Sequence, residues 1–352
     1  MSHRFLTAIV AGLMVCAELA GQTKPPAPAP KSSWIHPKTP WGDPDIQGIW
    51  PGTGMIGTPM QRAANVGDRE VLSDAEFLQR EAQRKAEAEF DSAEYVTDAV
   101  RCDPKRGGLG NTPDTCANGV SIGPPLYWQD RGTPNKQASL VVDPPNGRIP
   151  PLTPEAQKLA SERAAARRGH GPADSWEDRS SWERCLTRGA IGFLPTGYNN
   201  GNEILQAPGY VMIRIEMIHE ARIVPLNGPP HAGAGVRSYN GDSSGHWEGN
   251  TLVVETTNFN DKATVNNTPL SASGRLIERF TRIDADTLNY EVTIDDPLTW
   301  TKPWKIAFPL KRDPAYELFE YACHEGNLFM ADALSGARAE EKAAEAAKKG
   351  AQ

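Results

Sequence analysis

The stretch Leu-Asn-Tyr-Glu-Val-Thr-Ile-Asp, residues 288–295, decides the fold class. Leu288, Tyr290, Val292 and Ile294 alternate with Asn289, Glu291, Thr293 and Asp295. A period of two puts the first set on one face of a strand and the second on the other, so one face is built for a core and one for water. Trp304, Ile306, Phe308 and Leu310 repeat the pattern. Working outward, apolar runs bounded by turn residues read as strands at 204–206, 210–218, 221–225, 251–257, 276–283, 305–310 and 317–323. Short strands in succession predict a mainly β, antiparallel core over 204–330, closed as a lipocalin-like barrel.

Upstream, residues 41–203 read as a helical and loop-rich region packing on that barrel. Ser73 and Glu76 form a capping box, so a helix is expected from Ser73 to about Phe90. Thr153 caps a second helix with Pro154 in its first turn and Gly169 near its end. Residues 137–142 suit a short strand, ended by Asp-Pro-Pro-Asn-Gly, and 331–352 a polar helical tail. Residues 22–40 are a Pro-rich linker. Residues 1–21 read as a secretory signal peptide: His3 and Arg4 precede an apolar run, and small residues follow at Ala20 and Gly21. The expected location is therefore periplasmic or secreted, with no membrane contact after the signal is removed.

Beyond that leader stand Cys102, Cys116, Cys185 and Cys323, an even set that favours disulfides in an exported chain. Cys102 and Cys116 enclose a Gly-, Pro- and Asn-rich loop and are the first expected pair. Cys185–Cys323 is then the second, tying a middle loop to the last strand. No Cys-x-x-Cys spacing supports a thiolate zinc site. A formal charge of -7 without a basic stripe argues against nucleic acid as a partner.

Candidate chemistry concentrates between residues 216 and 248. His219, His231 and His246 lie there with Glu216, Arg222, Asp242 and Glu248, and imidazole is the side chain best suited to proton transfer near neutral pH. On the strand from Tyr210, Tyr210, Met212, Arg214, Glu216, Ile218, Glu220 and Arg222 share one face. That face would suit a barrel interior holding a polar ligand; the alternative is a solvated face with Arg–Glu cross-strand pairs. His231 sits in the loop Asn-Gly-Pro-Pro-His-Ala-Gly-Ala-Gly, 227–235. His246 and Glu248, two apart on a strand, would form an imidazole–carboxylate pair. His324 and Glu325 follow Cys323, so a disulfide would fix their backbone. The chain has no Gly-x-Ser-x-Gly elbow, no phosphate-binding glycine loop and no tight His–His ligand pair.

Several segments resemble a large family of exported bacterial proteins to which no activity is assigned: TPWGDPDIQGIW (39–50), SLVVDPPNGRIPPLTPEAQ (139–157), GHWEGNTLVVETTNF (245–259), ERFTRIDADTLNYEVTIDDP (278–297) and YACHEGN (321–327). Gly48-Ile49-Trp50, and again Gly245-His246-Trp247, also resemble the Gly-x-Trp of lipocalin-like (calycin) barrels.

The expected activity is that of a cofactor-free acid–base enzyme, a lyase, hydratase or isomerase, acting on a small organic ligand. His219 or His246 would be the base, Glu216 or Glu325 the group that orients it, and Arg222 the anion stabiliser. His231, Asp242, Glu248, His324 and Tyr210 would contact the ligand. The alternatives are a periplasmic binding or carrier protein and a metal-dependent hydrolase, since histidines and a carboxylate suffice in number for zinc.

Overall fold

Residues 288–295 are the heart of strand β11 (Thr287–Asp295), which runs antiparallel between β10 (Arg275–Arg282) and β12 (Trp304–Lys311). Its inward residues face like neighbours: Tyr290 stands opposite Phe280 and Phe308, and Ile294 opposite Leu276 and Trp304. The sheet extends through β7 (Thr251–Thr257) to β6 (Asp242–Glu248) on one side and to β2 (Val141–Asp143) on the other, in the order β2-β12-β11-β10-β7-β6. A second antiparallel sheet has the order β1-β3-β4-β5, from Gly48–Ile49, Asn202–Ala207, Tyr210–Ile215 and Ala221–Pro225, and β8 (Thr264–Val265) pairs with β9 (Thr268–Pro269) as a short ribbon. These coordinates are a computed structural model that describes residues 34–92, 130, 132–228 and 230–350. All the strands and helices named belong to one unit, His36–Gln352. The signal peptide, most of the Pro-rich linker and the Cys102–Cys116 pair lie outside the described residues.

The two sheets enclose a single core. Ile204, Val211, Ile213 and Val224 come from one sheet; Val254, Phe280, Tyr290, Ile306 and Phe308 come from the other. Phe193, from the irregular segment before β3, stacks on Tyr290 at 4.7 Å and tilts against Phe280 at 5.3 Å. At one corner the sheets join, where Leu226 bridges Gly245 in parallel and the Asn227 amide donates to the Gly245 carbonyl at 2.9 Å. A Cβ at position 245 would stand 2.8 Å from Val224, so the corner closes only over glycine. The opposite edges, β1 and β2, do not pair among the described residues. The fold is thus mainly β and antiparallel, in two facing sheets, and no closed barrel forms among the described residues. Trp50, Tyr290, Phe193 and Phe308 are fully buried between the sheets.

The strand expected over 210–218 is shorter than its hydrophobic pattern. β4 ends at Ile215, and residues Met217–His219 form a 3-10 turn with Ile218 at φ 61° and His219 at φ 45°. The turn breaks the two-residue parity, so Glu216 and Arg222 do not share a face with Tyr210 and Arg214. Val211, Ile213 and Ile215 point inward; Tyr210 and Arg214 are exposed, and Arg214 pairs across the strands with Glu203 at 2.8 Å. The solvated-face alternative therefore describes β4. Residues 317–323 form no strand either. The Cys185–Cys323 disulfide does form, with Cα atoms 5.8 Å apart, but it ties an irregular segment rather than a last strand.

Between the sheets lies a charged pair. Arg222 of β5 grips Glu278 of β10 through both guanidinium arms, Nη1 to Oε2 at 2.6 Å and Nη2 to Oε1 at 2.9 Å, and the Tyr290 hydroxyl donates to Oε1 at 2.9 Å. Glu278 is wholly buried. Burial pulls the Arg222 pKa down, but the charge and hydrogen bonds of Glu278 more than offset it and leave the guanidinium above its ordinary value.

Helix α1 (Asp74–Ser92) starts at the expected box: the Glu76 amide donates to Ser73 Oγ at 3.3 Å, and Glu76 Oε2 accepts from the Ser73 amide at 2.8 Å. Arg69 adds two bonds of 2.8 Å to the same carboxylate, and these together bring its pKa to about 2. A carboxylate whose folded pKa is depressed contributes above its unfolded value and loses the contribution as pH falls through the folded one. The first turn of α1 should therefore fray between about pH 4.5 and 2, read as faster amide exchange at Glu76 and Phe77 while the β core stays protected. Glu76→Gln should exchange fast across that whole range. Helix α2 (Pro154–Ala166), capped by Thr153 on the Ala156 amide at 3.1 Å, and α3 (Phe329–Gly350) bury no side chain. No helix among the described residues is long and apolar enough to cross a membrane.

Candidate functional site

The turn after β4 carries the strongest local signs of a site. A β-branched residue at positive φ is strained and persists only where its surroundings hold it. Here Ile218 is buried, so packing supplies that hold. Glu216, one residue past the strand, is also buried. Its carboxylate accepts from Asn199 Nδ2 at 3.1 Å, the Gly201 amide at 3.0 Å, the Tyr316 hydroxyl at 2.7 Å and the Phe319 amide at 3.0 Å. Gly201 keeps this corner close-packed: a Cβ there would lie 2.6 Å from Glu216 Oε2 and 2.3 Å from Leu318, displacing those side chains. Burial, then the bond to Glu216, raises the Tyr316 pKa far above the ordinary tyrosine value, so its hydroxyl remains a donor. Glu216 thus fixes the segments around 199–201 and 316–319 against the turn; it does not touch the His219 ring.

The ring of His219 is oriented by another group. Its Nδ1 lies 2.9 Å from the Tyr321 carbonyl. A carbonyl can only accept, so we infer that Nδ1 carries the hydrogen and that Nε2 of the neutral ring bears the lone pair. His219 is exposed, and its Nε2 has no protein partner among the described residues.

Arg188 stands against the same turn. Its Nη1 approaches Met217 Sδ at 2.6 Å, its amide donates to Glu220 Oε2 at 3.4 Å, and its guanidinium lies 5.2 Å from the Trp182 ring. No carboxylate among the described residues comes within 4.0 Å of the guanidinium. Burial lowers its pKa, countered in part by Tyr198, Glu220 and Tyr321. The Tyr198 phenol, 6.2 Å ring to ring from Trp182, is raised well above its ordinary value by burial and by Tyr321. Beside Arg188 a cavity of about 10 Å³ is lined by Thr196, Asn199, Asn200 and Asn202. That is room for about one water. The buried Asn202 Oδ1 has no hydrogen-bond partner among the described residues.

The other sequence candidates fall into separate places. Arg222 is consumed by Glu278 and cannot also stabilise a ligand anion. His231 Nδ1 lies 3.1 Å from Asp242 Oδ2, with Nε2 3.6 Å from Glu255, pinning the loop before β6 to the sheet rim. His246 and Glu248 do pair, at 3.2 Å, on the exposed face of β6, where Arg279 also holds Glu248 at 2.8 Å and depresses its pKa. Tyr210 is exposed on the outer face of the smaller sheet. His324 faces a cavity of about 240 Å³ beside the disulfide, and Glu325 is exposed next to it. Only Glu216 and His219 are joined in one corner, with Tyr321 bringing the segment before Cys323 to it. Among the described residues no group of His, Cys, Asp and Glu is arranged to hold a metal ion.

Arg188, Tyr198, Asn199, Tyr316 and Tyr321 were not singled out in the sequence. The run Tyr198-Asn199-Asn200-Gly201 between two loop segments was the available signal, since Asn and Gly tolerate left-handed backbone and Asn199 has φ 51°. No protein-family model matches the chain, and neither a curated protein nor a solved structure matches it.

Proposed function

We propose that this protein is a cofactor-free acid–base enzyme for a small organic anion, a lyase, hydratase or isomerase, with His219 as general base and Arg188 as the group that stabilises negative charge. The observation that carries the reading is the exposed His219 imidazole, held on strained backbone and oriented through Nδ1 so that Nε2 is open. Nε2 would take a proton from a carbon next to a carboxylate or carbonyl, and the C–H electron pair would pass to the carbonyl oxygen. The guanidinium of Arg188, held against residues 217–220 and free of carboxylate partners within bonding reach, would favour that charge. Returning the proton to a neighbouring carbon gives isomerisation; expelling a β-hydroxyl gives dehydration. Export belongs to the same reading, supported by a disulfide that suits an oxidising compartment.

The test needs no known product. A panel of 2-oxo and 3-hydroxy acids is incubated with the protein in D2O, and loss of C–H signal is followed by proton NMR. Exchange into at least one acid is expected, falling about 10²-fold in His219→Gln. Saturable binding without exchange across the panel would replace this reading with the carrier protein. Exchange that appears only with added zinc would favour the metal-dependent hydrolase class.

A further inference from the structure

We propose that the cavity beside the Cys185–Cys323 disulfide binds a one-ring aromatic carboxylate. The cavity measures about 240 Å³ and lies between the segment Trp176 to Cys185 and the segment His324 to Met330. Sites for drug-sized ligands run from roughly 300 to 1,000 Å³, so this one has room for a single ring and a small polar group.

Its walls select the charge. The Arg184 guanidinium lies 4.3 Å from the Trp176 ring centroid and has no hydrogen-bond or ion-pair partner among the described residues. His324 lines the cavity with its imidazole equally free. Glu183 also lines it, but its carboxylate is already taken by the Arg179 guanidinium and by the Ser180 amide and hydroxyl, each at 2.9 Å. Asn327 donates to the Cys323 carbonyl at 2.9 Å. What remains unspent is a guanidinium fork and an imidazole, both suited to an anion. A carboxylate matches that planar fork with two parallel bonds.

The walls also select the ring. Trp176 is half-exposed, and Met330 and Cys185 line the same cavity. Aromatic faces and methionine both gain from contact with another ring. A simple inorganic anion would use the guanidinium and leave those surfaces wet. This assignment stands independently of acid–base chemistry at His219, because it concerns binding alone.

The experiment is calorimetric titration of the disulfide-intact full chain with benzoate, acetate and benzyl alcohol. Saturable benzoate binding is expected, at least tenfold tighter than either acetate or benzyl alcohol. Arg184→Met and Trp176→Leu should each weaken benzoate at least tenfold while retaining the wild-type circular dichroism and melting temperature. His246→Ala, on the exposed face of β6, should leave affinity unchanged. No benzoate binding, acetate binding as tightly as benzoate, or full affinity in a folded Arg184→Met would each overturn the proposal.

Discussion

Glu278→Ala loses about 3–5 kcal/mol of stability, read as a lower urea midpoint at unchanged slope. The reason is the pair with Arg222. Glu278 is wholly buried and receives both guanidinium arms and the Tyr290 hydroxyl. Removing the carboxylate strands a cation between two apolar sheets and orphans a phenol. The desolvation cost of that cation, rather than the value of the bond, sets the size of the effect. A double variant, Arg222→Met with Glu278→Leu, removes both charges and should recover most of the loss. Tyr290→Phe should cost only about 1–2 kcal/mol, since one hydrogen bond is lost and one acceptor lone pair is left. A Glu278→Ala protein within about 1 kcal/mol of wild type would mean that water reaches the pair. Any loss of activity in an Arg222 variant should follow its loss of folded protein.

The second large effect is at the disulfide. Cys185 and Cys323 are 138 residues apart, and the closed loop contains both hairpins of the smaller sheet and all but one strand of the larger. Chain entropy puts the stabilisation from so long a loop at about 5 kcal/mol at most. We expect the Cys185→Ser, Cys323→Ser double variant to lose about 3–5 kcal/mol in denaturant. The same variant should bind benzoate more weakly, since the bridge spans the two walls of the cavity. An unchanged midpoint would mean that the unfolded chain was already compact across this span.

The sequence read well where one face of a strand is buried and its neighbours are close. Alternation at 288–294 and 304–310, and turn-bounded apolar runs at 251–257 and 276–283, found β11, β12, β7 and β10 to within a residue or so. Burial alone generates that pattern. β6 was legible only at its His246–Glu248 end, because Asp242-Ser-Ser-Gly245 has no apolar alternation; its pairing with β7 decides its conformation. The pattern overran at 216–218, since Met217 and Ile218 are apolar and buried yet sit in a turn. Nothing in an isoleucine announces a left-handed backbone.

The site was half legible for a related reason. Glu216 and His219 could be named from their chemistry. Their partners could not, because Tyr316 and Tyr321 lie about a hundred residues away and reach the turn only through the folded chain. Arg222 shows the converse. Its type suggested an anion site, and a carboxylate 56 positions onward had already claimed it.

The pairing order also dictates when the molecule can be finished. β1 waits for β3, Gly48 opposite Ile204, and β2 waits for β12, Val141 opposite Ile306. Among the described residues neither amino-terminal strand has a hairpin partner of its own, so each waits for distant chain. Contacts so far apart in sequence make assembly slow, because long loops must close before they are rewarded. A nascent chain that stops short of Trp304 has nothing on which to seat β2. Completion therefore belongs to the last strands made, and the early half stays open to rival pairings until they emerge.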